Sequence, residues 1–185
     1  GGVLDNVILE AGQSGVFVGA PLSLALKGID ANRSPVEIDA SQITWSVSGV
    51  SGSFTEEGFV PSSAGKGVIT ASYGGLTATK TIDVYKDAVD LIIRPSSLQL
   101  KLGEAGSFKL YAIDATGHQA ELPADFAVWT IPDQLIALNP DGTFTAGVQP
   151  GKGVISAEYN GIKKHLPIAV GESHRVLFDF ETPSA

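Results

Sequence analysis

The chain contains no cysteine and no methionine in 185 residues. Without cysteine there is neither a disulfide framework nor a thiolate metal site. Compartment stays open on that evidence, since cytosolic proteins and many bacterial secreted proteins both dispense with cysteine. Without methionine even at position 1, the chain reads as a processed or excised piece, Gly1-Gly2 as a cloning scar, and any signal peptide of the parent as left out. Basic residues are also few. Twelve Lys and Arg stand against 20 Asp and Glu, a formal charge of −8, which works against phosphate backbones and makes nucleic acid a poor partner. The same charge disfavours anionic lipid, and no apolar run approaches the roughly 20 residues that cross a bilayer as a helix. Neither nucleic-acid binding nor membrane insertion is expected.

What the chain does have is one stretch written twice. Gly65-Lys66-Gly67-Val68-Ile69-Thr70-Ala71-Ser72-Tyr73-Gly74-Gly75 returns as Gly151-Lys152-Gly153-Val154-Ile155-Ser156-Ala157-Glu158-Tyr159-Asn160-Gly161. Within it Ile69, Ala71 and Tyr73 fall on one face and Val68, Thr70 and Ser72 on the other, the period of a half-buried strand. Ile155, Ala157 and Tyr159 repeat the inward phase. A shift of 84 superposes the rest: Val7-Ile8-Leu9 on Leu91-Ile92-Ile93, Ile29-Asp30-Ala31 on Ile113-Asp114-Ala115, Trp45 on Trp129, Gly58 on Gly142. Between Gly58 and Gly65 the second copy gains two residues, in a turn, where insertion costs least. A repeat this long is a domain duplication, since solenoid repeats run at about 20–50 residues.

The first copy reads as strands around Val7-Ile8-Leu9, Val16-Phe17-Val18, Leu22 to Lys27, Ile43 to Val47 and Leu76 to Val84, besides the repeated stretch. Asp30 to Pro35 is a turn cluster, and Gly74-Gly75 is a two-residue hairpin signal. Ser48 to Gly58 is expected to be a loop with at most one short strand near Phe54. In the second copy Pro167 interrupts the last strand, so that strand is expected to border its sheet. The modules are assigned to residues 3–85 and 86–171, joined by the short segment Tyr85 to Asp90, which predicts a limited hinge and an elongated pair. Residues 172–185, with Arg175 to Glu181 as one more strand, read as the start of a further domain or a tail.

These residues resemble the bacterial immunoglobulin-like (Big) domains. The resemblance runs from about Leu4 to Val170, and the Gly-Lys-Gly-Val-Ile-Thr-Ala-Ser-Tyr-Gly-Gly segment is its most specific part. It implies an all-β fold, two tandem Ig-like antiparallel β-sandwich domains, used as spacer or adhesive modules outside the cell. Such arrays, followed by a strand reading Phe-Asp-Phe-Glu, look like the accessory region of secreted bacterial proteins that carry a phosphodiester glycosidase domain, often with S-layer homology domains. The family brings no catalytic residues to carry over.

Chemistry-bearing residues are dispersed. Trp45 and Trp129 offer faces for sugar rings, but share the phase of Ile43 and Val47, and of Ala127 and Ile131, and read as inward core residues. Tyr73 and Tyr159 read likewise. Asp30, Asp114, Asp141, Glu56 and Glu57 belong to turns, and a sandwich of short turns presents no cleft holding two carboxylates about 5–10 Å apart, as glycoside hydrolysis needs. No Asp-x-Asp-x-Asp run supplies a calcium loop; a single ion between modules or at Asp179 and Glu181 is the residual metal candidate. His118, His165 and His174 lack metal-ligand spacing, no Ser sits in a nucleophile elbow, and Lys66 and Lys152 lack the rest of a phosphate loop. The expected catalytic, cofactor and metal sites are therefore none.

The sequence reading is a non-catalytic extracellular pair of accessory modules that positions a neighbouring catalytic or binding domain of the same polypeptide. Its rivals are a module binding cell-wall polysaccharide, for which the aromatics off the inward phase are few, Tyr111 and Phe126 among them, adhesion to another surface protein, and a hydrolase fragment completed by a downstream domain.

Overall fold

The computed structural model describes residues 2–171, so the expected strand Arg175 to Glu181, His174 and the pair Asp179 and Glu181 lie outside the described residues. The chain divides into two compact units, one built on residues up to Asp87 and one on residues from Ala88 onward, with His118–Ala120 grouping with the first. Apart from the single-turn 3-10 helices Ala40–Gln42 and Ala124–Phe126, the regular structure described is all strand. Both units are immunoglobulin-like β-sandwiches.

The first unit runs β1 (Asn6–Ala11), β2 (Gly15–Phe17), β3 (Leu24–Ile29), β4 (Pro35–Val36), β5 (Thr44–Ser48), β6 (Gly52–Thr55), β7 (Gly58–Pro61), β8 (Gly65–Tyr73) and β9 (Leu76–Tyr85). One sheet has the order β1-β3-β4, the other β2-β9-β8-β5, and β6-β7 is a separate hairpin tied back by a bridge between Leu22 and Phe59. The alternation of the repeated stretch is what closes the core. Gly67, Ile69 and Ala71 of β8 are buried while Val68, Thr70 and Ser72 are half-exposed. Beside them β9 buries Ile82 and Val84. Val7 and Leu9 of β1 supply the opposite face, with Phe17, Leu22 and Phe59 filling the space between. Tyr73 pairs with Leu76 across Gly74-Gly75, whose φ of +56° and +82° are the left-handed pair a two-residue hairpin needs. Asn160-Gly161 does the same between Tyr159 and Ile162, with φ of +49° and +79°.

The second unit runs β10 (Ala88–Arg94), β11 (Leu98–Leu100), β12 (Ala105–Ser107), β13 (Lys109–Asp114), β14 (Gln119–Leu122), β15 (Val128–Thr130), β16 (Ile136–Leu138), β17 (Thr143–Ala146), β18 (Gly151–Tyr159) and β19 (Ile162–Val170). Its sheets are ordered β10-β13-β14, β11-β19-β18-β15 and β12-β17-β16, the same plan. Ile155 and Ala157 of β18 and Leu166, Ile168 and Val170 of β19 are buried against Leu91, Ile93 and Leu110.

Three expectations change. Ser48 to Gly58 carries the one short strand expected near Phe54, β6, but not within a loop: β6 pairs with β7 in a hairpin in which Thr55 pairs with Gly58 and Glu56-Glu57 is the turn. Burial of Phe59 and its exchange of backbone hydrogen bonds with Leu22, 2.8 and 2.9 Å, hold that hairpin on the core. The two residues gained by the second copy are split. Phe54 pairs with Phe59 but Leu138 with Phe144, so one enters that turn and the other falls between Ala146 and Gly151. Finally, β19 does not border its sheet. It lies between β11 and β18, yet β11 runs parallel to it only along Ile168–Val170, ending the cover one residue past Pro167. Counting from the hairpin, the Val154–Pro167 pair is a non-hydrogen-bonded one, so a missing N–H costs the ladder nothing. Residues of β19 up to Pro167 form half an edge. In the first unit β2 likewise runs parallel to β9 only along Asp83–Tyr85.

Candidate functional site

The two tryptophans stand at corresponding places, each on the outermost strand of its sheet, β5 or β15. Their phase is inward as expected, but at a sheet border an inward side chain has a neighbour on one side only, and both are half-buried. Trp45 stacks on Phe54 (5.8 Å between centroids, 22°) and Trp129 on Phe108 (5.3 Å, 16°). Each then lines a hollow where the two sheets part.

In the first unit the hollow measures about 500 Å³ and is floored by Leu24, Leu26, Ile38 and Ile43, with Thr55, Glu56 and Glu57 of the β6-β7 turn at its side. In the second it measures about 320 Å³, between Trp129, Ile131 and Leu138, with Asp125, Asn139 and Pro140. Trp129 is the more firmly held: its Nε1 donates to the Ala124 carbonyl at 2.8 Å. Trp129→Phe removes that bond, although the Ala124 carbonyl keeps the Ala127 N–H at 3.2 Å, and is expected to cost about 1 kcal/mol, read as a lower urea midpoint, whereas Trp45→Phe removes no such bond. Tyr73 and Tyr159 are half-buried at the ends of β8 and β18, and the Tyr73 hydroxyl accepts the Asp39 N–H at 3.1 Å.

Most of the singled-out aspartates are occupied by turn chemistry. Asp30 Oδ1 accepts the N–H groups of Asn32 (2.8 Å) and Ser34 (2.9 Å). Asp114 Oδ1 accepts from Thr116 N–H and Oγ1 at 3.0 and 2.9 Å, and Asp141 from Thr143 N–H and Oγ1 at 2.9 and 2.6 Å. Glu56 and Glu57 form a turn, are exposed, and are among the residues that line the hollow beside Trp45. Among the described residues no three His, Cys, Asp or Glu gather as a metal site. His165 is exposed on β19, Tyr111 is half-buried on β13, and Phe126 is exposed. Lys66 pairs across the strands with Asp83 at 2.8 Å. The corresponding place beside Lys152 is Ala169, so the second copy has no such pair.

These bonds set an acid limit. The Thr143 hydroxyl and N–H hold Asp141 below its ordinary 3.8, Ser41 does the same for Asp39, and Lys164 and the Leu91 N–H for Asp90. A carboxyl depressed in the folded state stabilises the fold above its unfolded value and loses that contribution as pH falls through the folded value. Melting temperature is thus expected to be insensitive to these groups at neutral pH and to fall below about pH 4. Asp141→Asn is expected to flatten that acid limb in a pH series of melts.

Neither a comparison with protein-family models nor one with curated proteins finds a match. Similar solved structures include the S-layer protein rSbsC(31-844), 14% identical with a TM-score of 0.37, covering 90% of this chain and 28% of that one. The Yersinia pseudotuberculosis adhesin InvE is 10% identical with a TM-score of 0.35, covering 89% of this chain and 58% of that one. Human protocadherin-24 EC1-2 is 13% identical with a TM-score of 0.33, covering 91% and 98%. The chain thus spans less than a third of the S-layer chain that it matches.

Proposed function

We propose that the chain is a pair of non-catalytic accessory modules, residues 3–85 and 86–171, of a larger bacterial protein outside the cell, and that they hold a neighbouring domain of the same polypeptide in position. The observation that carries this reading is the use made of the carboxylates. Asp30 and Asp114 sit at corresponding positions, and both spend their side chains on backbone turns. Asp141 does so as well. No polar or charged residue is buried among the described ones, and the pKa shifts resolved for carboxylates are downward, by local hydrogen bonds. A hydrolytic acid would instead be pushed up by burial or by a second carboxylate. The likeness of the Gly-Lys-Gly stretch to bacterial immunoglobulin-like domains supports the same role, and the narrower association with a phosphodiester glycosidase is part of the proposal.

The test is a replacement in the full-length polypeptide. Exchanging both modules for an unrelated immunoglobulin-like pair of equal length is expected to preserve the neighbouring domain's activity on a surface-bound substrate. Deleting both modules is expected to reduce it while leaving activity on a small soluble substrate unchanged. Loss of the soluble activity on deletion, or failure of the replacement, overturns the positioning role.

A further inference from the structure

Corresponding places in the two units can be compared directly, and the tryptophan hollows differ in what they leave unbonded. In the second unit the indole N–H is spent on the Ala124 carbonyl. In the first, the corresponding carbonyl, Ala40, accepts from Ile43 N–H at 3.2 Å, as Ala124 does from Ala127 N–H at 3.2 Å, but receives no bond from the tryptophan. The Trp45 N–H has no partner among the described residues, and no unpaired side-chain nitrogen or oxygen is shut off from solvent, so this donor is reachable from outside. The turn beside it differs in the same sense. Where the second unit has Pro140 and Asp141, the latter bound to Thr143, the first has Glu56 and Glu57, whose carboxylates meet neither a cation nor a hydrogen-bond donor in the structure. No Lys or Arg lines this hollow, and at about 500 Å³ it is within the range of small-ligand pockets, larger than its counterpart at about 320 Å³.

An aromatic edge with a free donor, two unpaired carboxylates and an apolar floor in one hollow is the complement of a ring with apolar C–H faces, oxygen acceptors and a positive charge. We propose that the hollow beside Trp45 binds a hexose unit bearing a free amine, as presented by an amino-sugar polymer. The ring packs against the indole and the Leu24 and Ile43 side chains, a ring or hydroxyl oxygen accepts the indole N–H, and Glu56 and Glu57 accept from the ammonium and a hydroxyl. A neutral hexose leaves the carboxylates without a counter-charge, and a lysine side chain offers no acceptor to the indole. The amino sugar satisfies all three partners. This goes beyond the positioning role and does not depend on it, because it is read from direct binding to the isolated chain.

The experiment is calorimetric titration of the 185-residue chain with glucosamine oligomers, and in parallel with N-acetylglucosamine oligomers, glucose oligomers and oligolysine. Saturable binding to the glucosamine oligomers is expected, with weaker binding to both uncharged sugars and a decrease with added salt. Glu56→Gln with Glu57→Gln, a change confined to an exposed two-residue turn, is expected to weaken it about tenfold or more, the effect of losing a charge-assisted hydrogen bond. Asp125→Asn, at the rim of the other hollow, is expected to leave it unchanged. An equal melting temperature checks that the double variant is folded, and Trp45→Phe provides a second variant that removes only the donor and part of the ring. Absence of saturation, undiminished binding in the double variant, or preference for oligolysine each overturns the proposal, the last by making the occupant a basic peptide.

Discussion

Phe59→Ala is expected to remove about 3–5 kcal/mol from the stability of the first unit. Phe59 is fully buried, exchanges both backbone hydrogen bonds with Leu22 and packs its ring on Phe54 at 5.1 Å. Truncation leaves a void that the surroundings fill only in part, because Leu22 is pinned by those same backbone bonds. With total stabilities of order 5–15 kcal/mol for a domain, such a loss brings the unit close to unfolding at ambient temperature. Phe144→Ala tests the equivalent place in the second unit, where Phe144 is 2% exposed and packs on Phe108 at 4.8 Å. Calorimetry of the two variants is expected to show a different transition lowered in each. A loss under about 1 kcal/mol for Phe59→Ala would mean that the hairpin is held by its backbone pairing and not by this ring.

The second large effect is expected at a residue with no side chain. Gly58 has φ of +119°, and a Cβ placed there runs into the Leu22 carbonyl oxygen. Gly58→Ala therefore combines a left-handed backbone with a collision against main chain that has no rotamer to escape through. About 3 kcal/mol or more is expected, above the roughly 1–3 kcal/mol of backbone strain alone. Gly74 separates the two contributions. Its φ is +56°, but nothing lies within 4 Å of a Cβ added there, so Gly74→Ala is expected to cost only about 1–2 kcal/mol. Gly74→Asn is expected to cost still less, as Asn160 occupies the matching place at φ +49°. Chemical denaturation of the three variants reads the order directly, and a Gly58→Ala cost no greater than that of Gly74→Ala would remove the collision from the account.

How far such features are legible in the sequence depends on whether their cause is local. The strands β8, β9, β18 and β19 are readable because alternation and a Gly-Gly or Asn-Gly turn are written in consecutive residues. The β6-β7 hairpin is not, since Gly52 to Gly58 is polar except for Phe54, and what makes it regular is the distant Leu22 meeting Phe59. Pro167 rightly signals an N–H that the ladder does not use. It does not reveal that a three-residue parallel strand, Leu98–Leu100, covers the remainder of β19. The matching strand β2 is legible as the apolar run Val16-Phe17-Val18, but with all its residues buried it carries no alternation from which to read what it pairs with. At the tryptophans the inward phase is legible and the depth is not, because depth depends on β5 and β15 being outermost. The contrast between a bonded Trp129 and an unbonded Trp45 is further from reach, since the alanines at the corresponding places, Ala40 and Ala124, are identical.

The two short parallel pairs, β2 with β9 and β11 with β19, join an early strand of each unit to its last one. When a unit is stretched by its two ends, strands that run in the same direction are drawn past each other lengthwise, and their cross-strand hydrogen bonds are strained together instead of unzipping one at a time. Three residue pairs are enough to place that clasp between where the load enters and where it leaves. Each unit carries its own clasp against a load of this kind.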